Sequence, residues 1–136
     1  MTGLSKALTT GTWTLFAPNN EAFLKLPPNY VNTLNTDGDV LTQLLLFHAV
    51  AEQTLYKDDL PCIAGKNLLG MANGKDSRTL CDDIRPGVPV PKYQKGKFNP
   101  RDDDTTPEFV TFDMEACNGV VHELDAVLLF EQIDVY

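Results

Sequence analysis

The chain has 136 residues, of which 43% are hydrophobic and 22% are charged, and its net charge is −8. This length and composition are typical of one globular domain that can bury a core of its own. The negative charge disfavours a nucleic-acid backbone or an anionic membrane as the main partner. No apolar run approaches the ~20 residues that a membrane-spanning helix needs.

The first third of the chain predicts one strand followed by short helices. The segment from Thr12 to Pro18 alternates in the manner of a β-strand and ends at its proline. Asn19 or Asn20 can cap the helix that follows, and Pro28 can begin a second short helix. The strongest helix pattern comes next, because apolar side chains recur at helical spacing from Val40 to His48.

A hairpin and a disulfide are predicted in the middle of the chain. Asn73 and Gly74 suit a two-residue turn between two strands, which would place Cys81 opposite Lys66. A bridge between Cys62 and Cys81 then requires the chain before Lys66 to bend back. We expect this bridge, with three buried thiols as the alternative. The three cysteines show no CxxC or Cys/His spacing that would suit zinc, and we expect no cofactor.

The remainder predicts a long excursion and two further strands. Residues 82–108 are rich in proline and contain one short strand near Lys92 to Phe98. A strand from Glu108 would place Asp113 and Met114 on opposite faces. A last strand from Val120 to Phe130 would place His122 among the apolar positions. Strand, helices and then mostly strands make an α+β fold.

Three segments give the chain a specific resemblance. TLFAPNNEAF (14–23), LLLFHAV (44–50) and DMEACNGVVHELDAVLLF (113–130) resemble, in order, the signatures of the fasciclin-like (FAS1) domain family. The resemblance implies a sandwich or wedge of mixed strands with several short helices packed on one side. It implies that residues 1–136 are a single FAS1-like domain from a longer, possibly multidomain protein. It also implies an extracellular or cell-surface location and a role in adhesion.

Candidate partner-binding residues come from two sources. The family resemblance points to the segment at Phe47 and His48, where the family usually has Tyr-His, and to Asp113 and Met114. The mixed basic and aromatic segment KYQKGKF adds further candidates that could contact an acidic glycan: Lys92, Tyr93, Lys95 and Lys97. The alternative for that segment is an edge strand protected from aggregation by its charges.

A second group of residues has a predicted structural role. We expect His122 and Asn118 to tie the last strand and its Asn118-Gly119 turn to the loop at Asn19 and Asn20. His48 can equally be a helix-end residue. Catalysis by His122 is not expected, because no nucleophile turn or oxyanion motif accompanies it. The acidic run at 102–104 lacks EF-hand spacing and is interpreted as a solvated loop.

The predicted function is therefore a non-catalytic extracellular module for cell adhesion or matrix interaction. Its expected partners are a cell-surface or matrix protein, or a polysaccharide, with weak self-association as a further possibility. Nucleic acid is not expected, and a membrane would be met only through parts outside this sequence. The alternative is a carrier of an apolar small molecule such as a carotenoid or a lipid, held in a cleft between sheet and helices.

Overall fold

The computed structural model describes residues 11–26, 28–63, 65–81, 91–99 and 106–130. In chain order the elements are β1 (Trp13–Pro18), α1 (Asn20–Leu24), α2 (Pro28–Thr36), α3 (Gly38–Leu46), β2 (Ala49–Ala51), a 3-10 turn (Lys57–Asp59), β3 (Leu68–Gly70), β4 (Asp76–Cys81), β5 (Lys92–Lys95), β6 (Phe109–Ala116) and β7 (Gly119–Leu124). This order confirms the predicted α+β class. None of these helices is long and apolar enough to cross a membrane.

The strands form two sheets. The first has the order β2-β1-β7-β6, in which β1 runs parallel to β7 and the other neighbours are antiparallel. The second is the antiparallel meander β3-β4-β5. A single bridge between Tyr93 and Glu108 connects the end of the meander to the start of β6. The Ala72 N–H, in the β3–β4 loop, donates to the Ala49 carbonyl of β2 at 2.8 Å, so the described backbone joins the two sheets at both of these places.

The helices begin where side chains can satisfy their free N–H groups. The Asn19 side chain accepts a hydrogen bond from the Ala22 N–H at 2.9 Å, so the predicted cap of α1 is confirmed. The Asp37 carboxylate caps α3 by accepting from the N–H groups of Asp39 and Val40. Proline at the start of α2 lacks only an N–H that would have no helical partner anyway.

The core has two parts. One cluster joins the four-stranded sheet to Leu60 and Met71, and its members are Phe16, Phe47, Val50, Leu60, Met71, Phe109, Leu124 and Leu128. The other packs the helices against the chain after β7, and its members are Ala22, Leu26, Tyr30, Leu34, Leu44 and Val127. The helices thus cover one side, as the family resemblance implied.

Three features of the strands differ from prediction: the length of the β3–β4 turn, the end of β7 and the alternation of β6. The β3–β4 loop contains three residues, with the Met71 N–H bound to the Lys75 carbonyl, because Gly74 takes a positive φ of 86° after Asn73. The predicted two-residue turn is therefore wrong by one position. The last strand is shorter than predicted, since β7 ends at Leu124. Two register shifts in β6 break the predicted alternation of that strand.

The predicted disulfide is confirmed. Cys62 and Cys81 are bonded, with their Cα atoms 5.7 Å apart. The chain before Lys66 does bend back, since the Lys66 N–H donates to the Ile63 carbonyl at 3.0 Å. The third cysteine, Cys117, is free and exposed.

His48 connects two distant parts of the core. Its Nε2 accepts the Leu128 N–H at 2.9 Å, so Nδ1 carries the proton and donates to the Leu44 carbonyl at 2.7 Å. Both bonds require a neutral ring. Burial lowers the pKa of His48 from 6.5 to about 4, although the bond to Leu44 opposes the shift. The helix-end reading of His48 fits this position.

Glycine at position 119 permits the close approach of β1 and β7. Trp13 lies opposite Gly119 in the parallel pair, and the Trp13 N–H donates to the Asn118 carbonyl at 2.9 Å. A Cβ atom on residue 119 would collide with the carbonyl oxygen of Trp13. The atom that it meets belongs to the backbone, so the clash cannot be relieved by a side-chain rotation.

We expect Gly119→Ala to lower the free energy of unfolding by about 1–3 kcal/mol, as overpacking of a rigid site does. The matched control is Gly38→Ala in the first turn of α3, where a Cβ meets nothing within 4 Å. That variant should be neutral or stabilising by up to ~1 kcal/mol. Urea titration measures both, and equal stability of the two variants would contradict the close approach.

We also expect His48 to make the domain sensitive to acid. Because its folded pKa of about 4 lies below the unfolded value of 6.5, the unfolded chain binds more protons between these limits. Its contribution is complete above pH ~6.5 and is lost as the pH falls towards 4, for a total of about 3 kcal/mol. Urea titrations at pH 7 and pH 4.5 measure this loss. The free energy of unfolding should fall less between the two pH values in His48→Gln than in the wild type. An NMR titration of the folded protein with a His48 pKa near 6.5 would contradict this.

Candidate functional site

An irregular stretch of β6 forms one candidate surface. Register shifts lie between Phe109 and Thr111 and between Thr111 and Met114. Asp113 sits in the second of them with a positive φ of 61°, a conformation that Asp tolerates better than most residues. Asp113 and Met114 are both exposed as a result, although regular alternation placed them on opposite faces. The bulge therefore turns two neighbouring side chains towards solvent.

The buried side chain of His122 fixes the backbone of this bulge through hydrogen bonds. Its Nδ1 accepts the Asp113 N–H at 3.0 Å, and its protonated Nε2 donates to the Leu55 carbonyl at 2.7 Å. Three phenylalanine rings surround the buried imidazole at centroid distances of 5.7–5.9 Å, those of Phe16, Phe109 and Phe112. Burial lowers the pKa of His122, while the Leu55 carbonyl and the Asp113 carboxylate raise it. His122 is thus a neutral structural link between β7, β6 and Leu55.

The 3-10 turn is fastened to the same bulge. The Lys57 N–H donates to Asp113 Oδ1 at 2.7 Å, and the Lys57 ammonium lies 4.9 Å from the centre of the Phe112 ring. The Tyr56 hydroxyl donates to Glu115 at 3.3 Å, and the Glu115 charge raises the pKa of Tyr56. Asp113 therefore keeps its position although its carboxylate is exposed.

Apolar side chains are exposed along the same strand. Val110 is 54% exposed and Met114 is 39% exposed. We call the β6 surface the set formed by Tyr56, Val110, Asp113, Met114 and Glu115. It combines apolar and acidic groups on an edge strand of the first sheet.

The segment KYQKGKF divides among three environments. Tyr93 is buried in β5. The Lys92 ammonium donates to the carbonyls of Lys57 and Leu60 at 2.8 Å each, and burial lowers its pKa. Lys95 and Lys97 line a groove of about 600 Å³ over the second sheet. The glycan-contact hypothesis thus applies only to the last two lysines.

Two further candidates are corrected by their burial. Phe47 is fully buried, with its ring 5.3 Å from that of Phe130, and His48 is bound on both ring nitrogens inside the core. Neither side chain can contact a partner from the surface. The same correction applies to Tyr93. In this chain the central segment at Phe47 and His48 builds the core.

Hydrogen bonds do connect the last strand to the loop at Asn19, but the atoms that form them are not the predicted ones. Asn19 Nδ2 donates to Glu123 at 3.2 Å, and the Asn19 N–H donates to the Leu124 carbonyl at 2.9 Å. The expected role of His122 in this tie is wrong, because its two ring nitrogens bind Asp113 and Leu55 instead. Asn20 begins α1 and is exposed. Glu123, which was not among the residues predicted to form this tie, accepts the side-chain bond.

An apolar cavity of about 270 Å³ lies between β1 and helices α1 and α3. Its lining is almost wholly hydrocarbon and includes Leu15, Ala17, Phe23, Leu41 and Val127. The sequence predicted a cleft between sheet and helices but could not place it, since its walls come from separate elements.

No metal centre is evident among the residues that the structure describes, since no three of His, Cys, Asp and Glu are arranged there so that they could hold an ion. The exposed side chains form instead a β6 surface, a basic groove and the mouth of an apolar cavity.

This chain is similar in sequence to one protein family and to several individual proteins. The sequence profile of the Fasciclin domain family matches residues 1–130. Immunogenic protein MPB70 of Mycobacterium bovis is 45% identical over 51 residues, which cover 38% of this chain and 26% of that protein. Cell surface glycolipoprotein MPB83 of the same species is 35% identical over 81 residues, or 52% of this chain and 37% of MPB83. The matches thus span well under half the length of both relatives.

Two longer matches complete the comparison. Protein sll1735 of Synechocystis is 27% identical over 119 residues, which cover 88% of this chain and 74% of that protein. The FAS1 domain pair of the insect cell adhesion molecule Fasciclin I superimposes with a TM-score of 0.66 at 18% identity, over 92% of this chain and 39% of the pair. The profile match over nearly the whole length and the agreement in fold lead to one conclusion: the chain belongs to the fasciclin (FAS1) domain family.

Proposed function

We propose that the chain is a non-catalytic adhesion module that acts at the cell surface or in the extracellular matrix. Its partner is a surface or matrix protein, or a polysaccharide. The family and the name of MPB83 as a cell-surface protein support the location. The disulfide between Cys62 and Cys81 supports it independently, because disulfides persist mainly outside the reducing cytosol.

The β6 surface is the observation that carries this proposal for a protein partner. Val110 and Met114 present hydrocarbon to water on an edge strand, and protein-binding sites commonly combine such apolar groups with a polar rim. Asp113 and Glu115 supply the rim. The site is also rigid, because His122 and the Lys57 N–H fix the bulge from two sides. A rigid site loses little conformational entropy when it binds.

We expect the double variant Val110→Ser/Met114→Ser to weaken adhesion at least fivefold. Loss of the two apolar contacts makes the free energy of binding less favourable. The fold should persist, because neither substitution changes a buried residue. Attachment of cells of the source organism to plates coated with the domain measures the effect. Leu24→Ser is the matched control, since Leu24 is 83% exposed on α1.

Asp113→Asn separates charge from geometry in the same assay. Asparagine tolerates the positive φ and can still accept the Lys57 N–H, so only the charge is lost. Equal attachment by wild type and both β6 variants would remove this surface from the proposal. Wild-type attachment no higher than to an albumin-coated plate would contradict adhesion itself.

The apolar cavity supports a second candidate function, carriage of an apolar small molecule. Its volume of about 270 Å³ lies just below the roughly 300–1,000 Å³ usual for ligand pockets. Part of an acyl or polyene chain would fit, with the remainder outside. The buried Ala49 and the wall residue Ala17 leave room that larger side chains would fill.

We expect cis-parinaric acid, a fluorescent polyene fatty acid, to bind saturably at one site if the chain is a carrier. Ala17→Leu should then reduce its affinity at least fivefold, because the added carbon atoms occupy the cavity. Leu24→Ser again serves as the control for exposed apolar surface. Fluorescence that rises without saturation, or equally in both variants, would contradict carriage by this cavity.

A further inference from the structure

We infer that the groove over the second sheet is a binding site for an acidic polysaccharide, whose sulfate or carboxylate groups contact Lys75, Arg78, Lys95 and Lys97. This inference rests on the proposed adhesion function and names the chemistry of one partner. Its residues are different from those of the β6 surface. We call this site the basic groove.

Strand pairing concentrates positive charge in the groove. Arg78 of β4 lies directly opposite Lys95 of β5, and Leu68 of β3 lies opposite Arg78 on the other side. Like charges that face each other across a strand pair destabilise a sheet. The Lys95 ammonium also donates to the Gly96 carbonyl at 3.0 Å, so part of its charge is already satisfied within the chain. An anion bound beside the two side chains lessens their mutual repulsion, and this favours an anionic ligand.

The groove holds four of the chain's eleven basic residues. Asp76 is the only acid among the described residues that line it. Lys75, Arg78 and Lys97 form no ion pair with any carboxylate in the described ranges, whereas the ammonium of Lys25, directly after α1, lies 4.0 Å from the Asp125 carboxylate. This concentration stands out in a chain with a net charge of −8.

The other face of the same strands keeps the arginine outward. The Thr79 hydroxyl donates to Gln94 Oε1 at 2.6 Å, and Gln94 Nε2 donates to the Ser77 hydroxyl at 2.7 Å. All three side chains are buried. Because successive side chains of a strand point to opposite faces, this satisfied network places Arg78 towards solvent. The groove is thus built on a fixed backbone.

Aromatic and apolar groups accompany the charges. Phe98 is 41% exposed, and the Lys97 ammonium lies 5.6 Å from the centre of its ring. Leu68 and Phe130 complete the apolar part of the lining. Sugar rings carry an apolar C–H face that packs on such groups while their substituents remain free for ionic contacts. A sulfated or uronic polymer offers both features within a few residues.

The setting favours a polysaccharide over a nucleic acid. The disulfide at Cys62 and Cys81 indicates an oxidising compartment outside the cytosol. A volume of about 600 Å³ accommodates a few sugar units. A short, flexible acidic chain can follow a groove of this size.

The test uses a heparin hexasaccharide, with a neutral dextran oligosaccharide of equal length as the reference ligand. Isothermal titration calorimetry at 50 and 150 mM NaCl should detect the heparin fragment and not dextran. Arg78→Gln/Lys97→Gln should reduce its affinity at least tenfold and lessen the dependence of affinity on salt. Lys25→Gln/Lys66→Gln, which changes the net charge equally outside the groove, should reduce it less than threefold. Thermal midpoints verify that both variants fold.

Three results would overturn the inference. They are absence of heparin binding, an equal loss in both double variants, and equal affinity for a single-stranded oligonucleotide of the same charge. The assay of cell attachment keeps this separate from the adhesion function. Attachment that depends on Val110 and Met114 without heparin binding would overturn the groove alone. Heparin binding through Arg78 and Lys97 without attachment would overturn adhesion and leave the groove.

Discussion

The parallel pairing of β1 with β7 is the constraint on which the rest of the domain depends. It joins Trp13–Pro18 to Gly119–Leu124, over a hundred residues later in the sequence. The pairing brings Asn19 to Glu123 and Leu124, and it places Phe16 beside His122. Helices, loops and the second sheet fill the sequence between the two strands. Contacts so distant in sequence carry a large entropic cost of loop closure, and this favours slow folding.

Two histidines secure this arrangement by the same chemistry. Each is buried and neutral, accepts a backbone N–H on one ring nitrogen and donates to a carbonyl through the other. His48 joins the end of α3 to the chain after β7, and His122 joins β7 to Leu55 and the β6 bulge. No other side chain both donates and accepts through a rigid ring of this size. The burial of both histidines in this chain is therefore accounted for by their hydrogen bonds.

Local signals in the sequence predicted local structure well. The cap at Asn19, the start of α2 at Pro28, the alternation of β1 and the inward register of His122 all follow from rules that need only neighbouring residues. The β6 bulge at Asp113 did not, because one inserted residue changes a register without changing composition. Only two of the four basic residues of the groove could be predicted from the sequence. Lys95 and Lys97 stood in one segment, but Lys75 and Arg78 join them only through the pairing of β4 with β5. The family signatures led to a wrong prediction of partner contact for Phe47 and His48, since a residue that defines a fold is more often buried than exposed.

The bridge between Cys62 and Cys81 encloses the entire β3–β4 hairpin in one covalent loop. A protease that cuts a single peptide bond within this loop releases no fragment, because both new ends remain attached through sulfur. Lys75, Arg78 and the rest of the β3–β4 side of the basic groove lie inside the loop, whereas Lys95, Lys97 and the β6 surface lie outside it. In a medium rich in proteases, one cut within the loop therefore leaves Arg78 covalently attached to the domain.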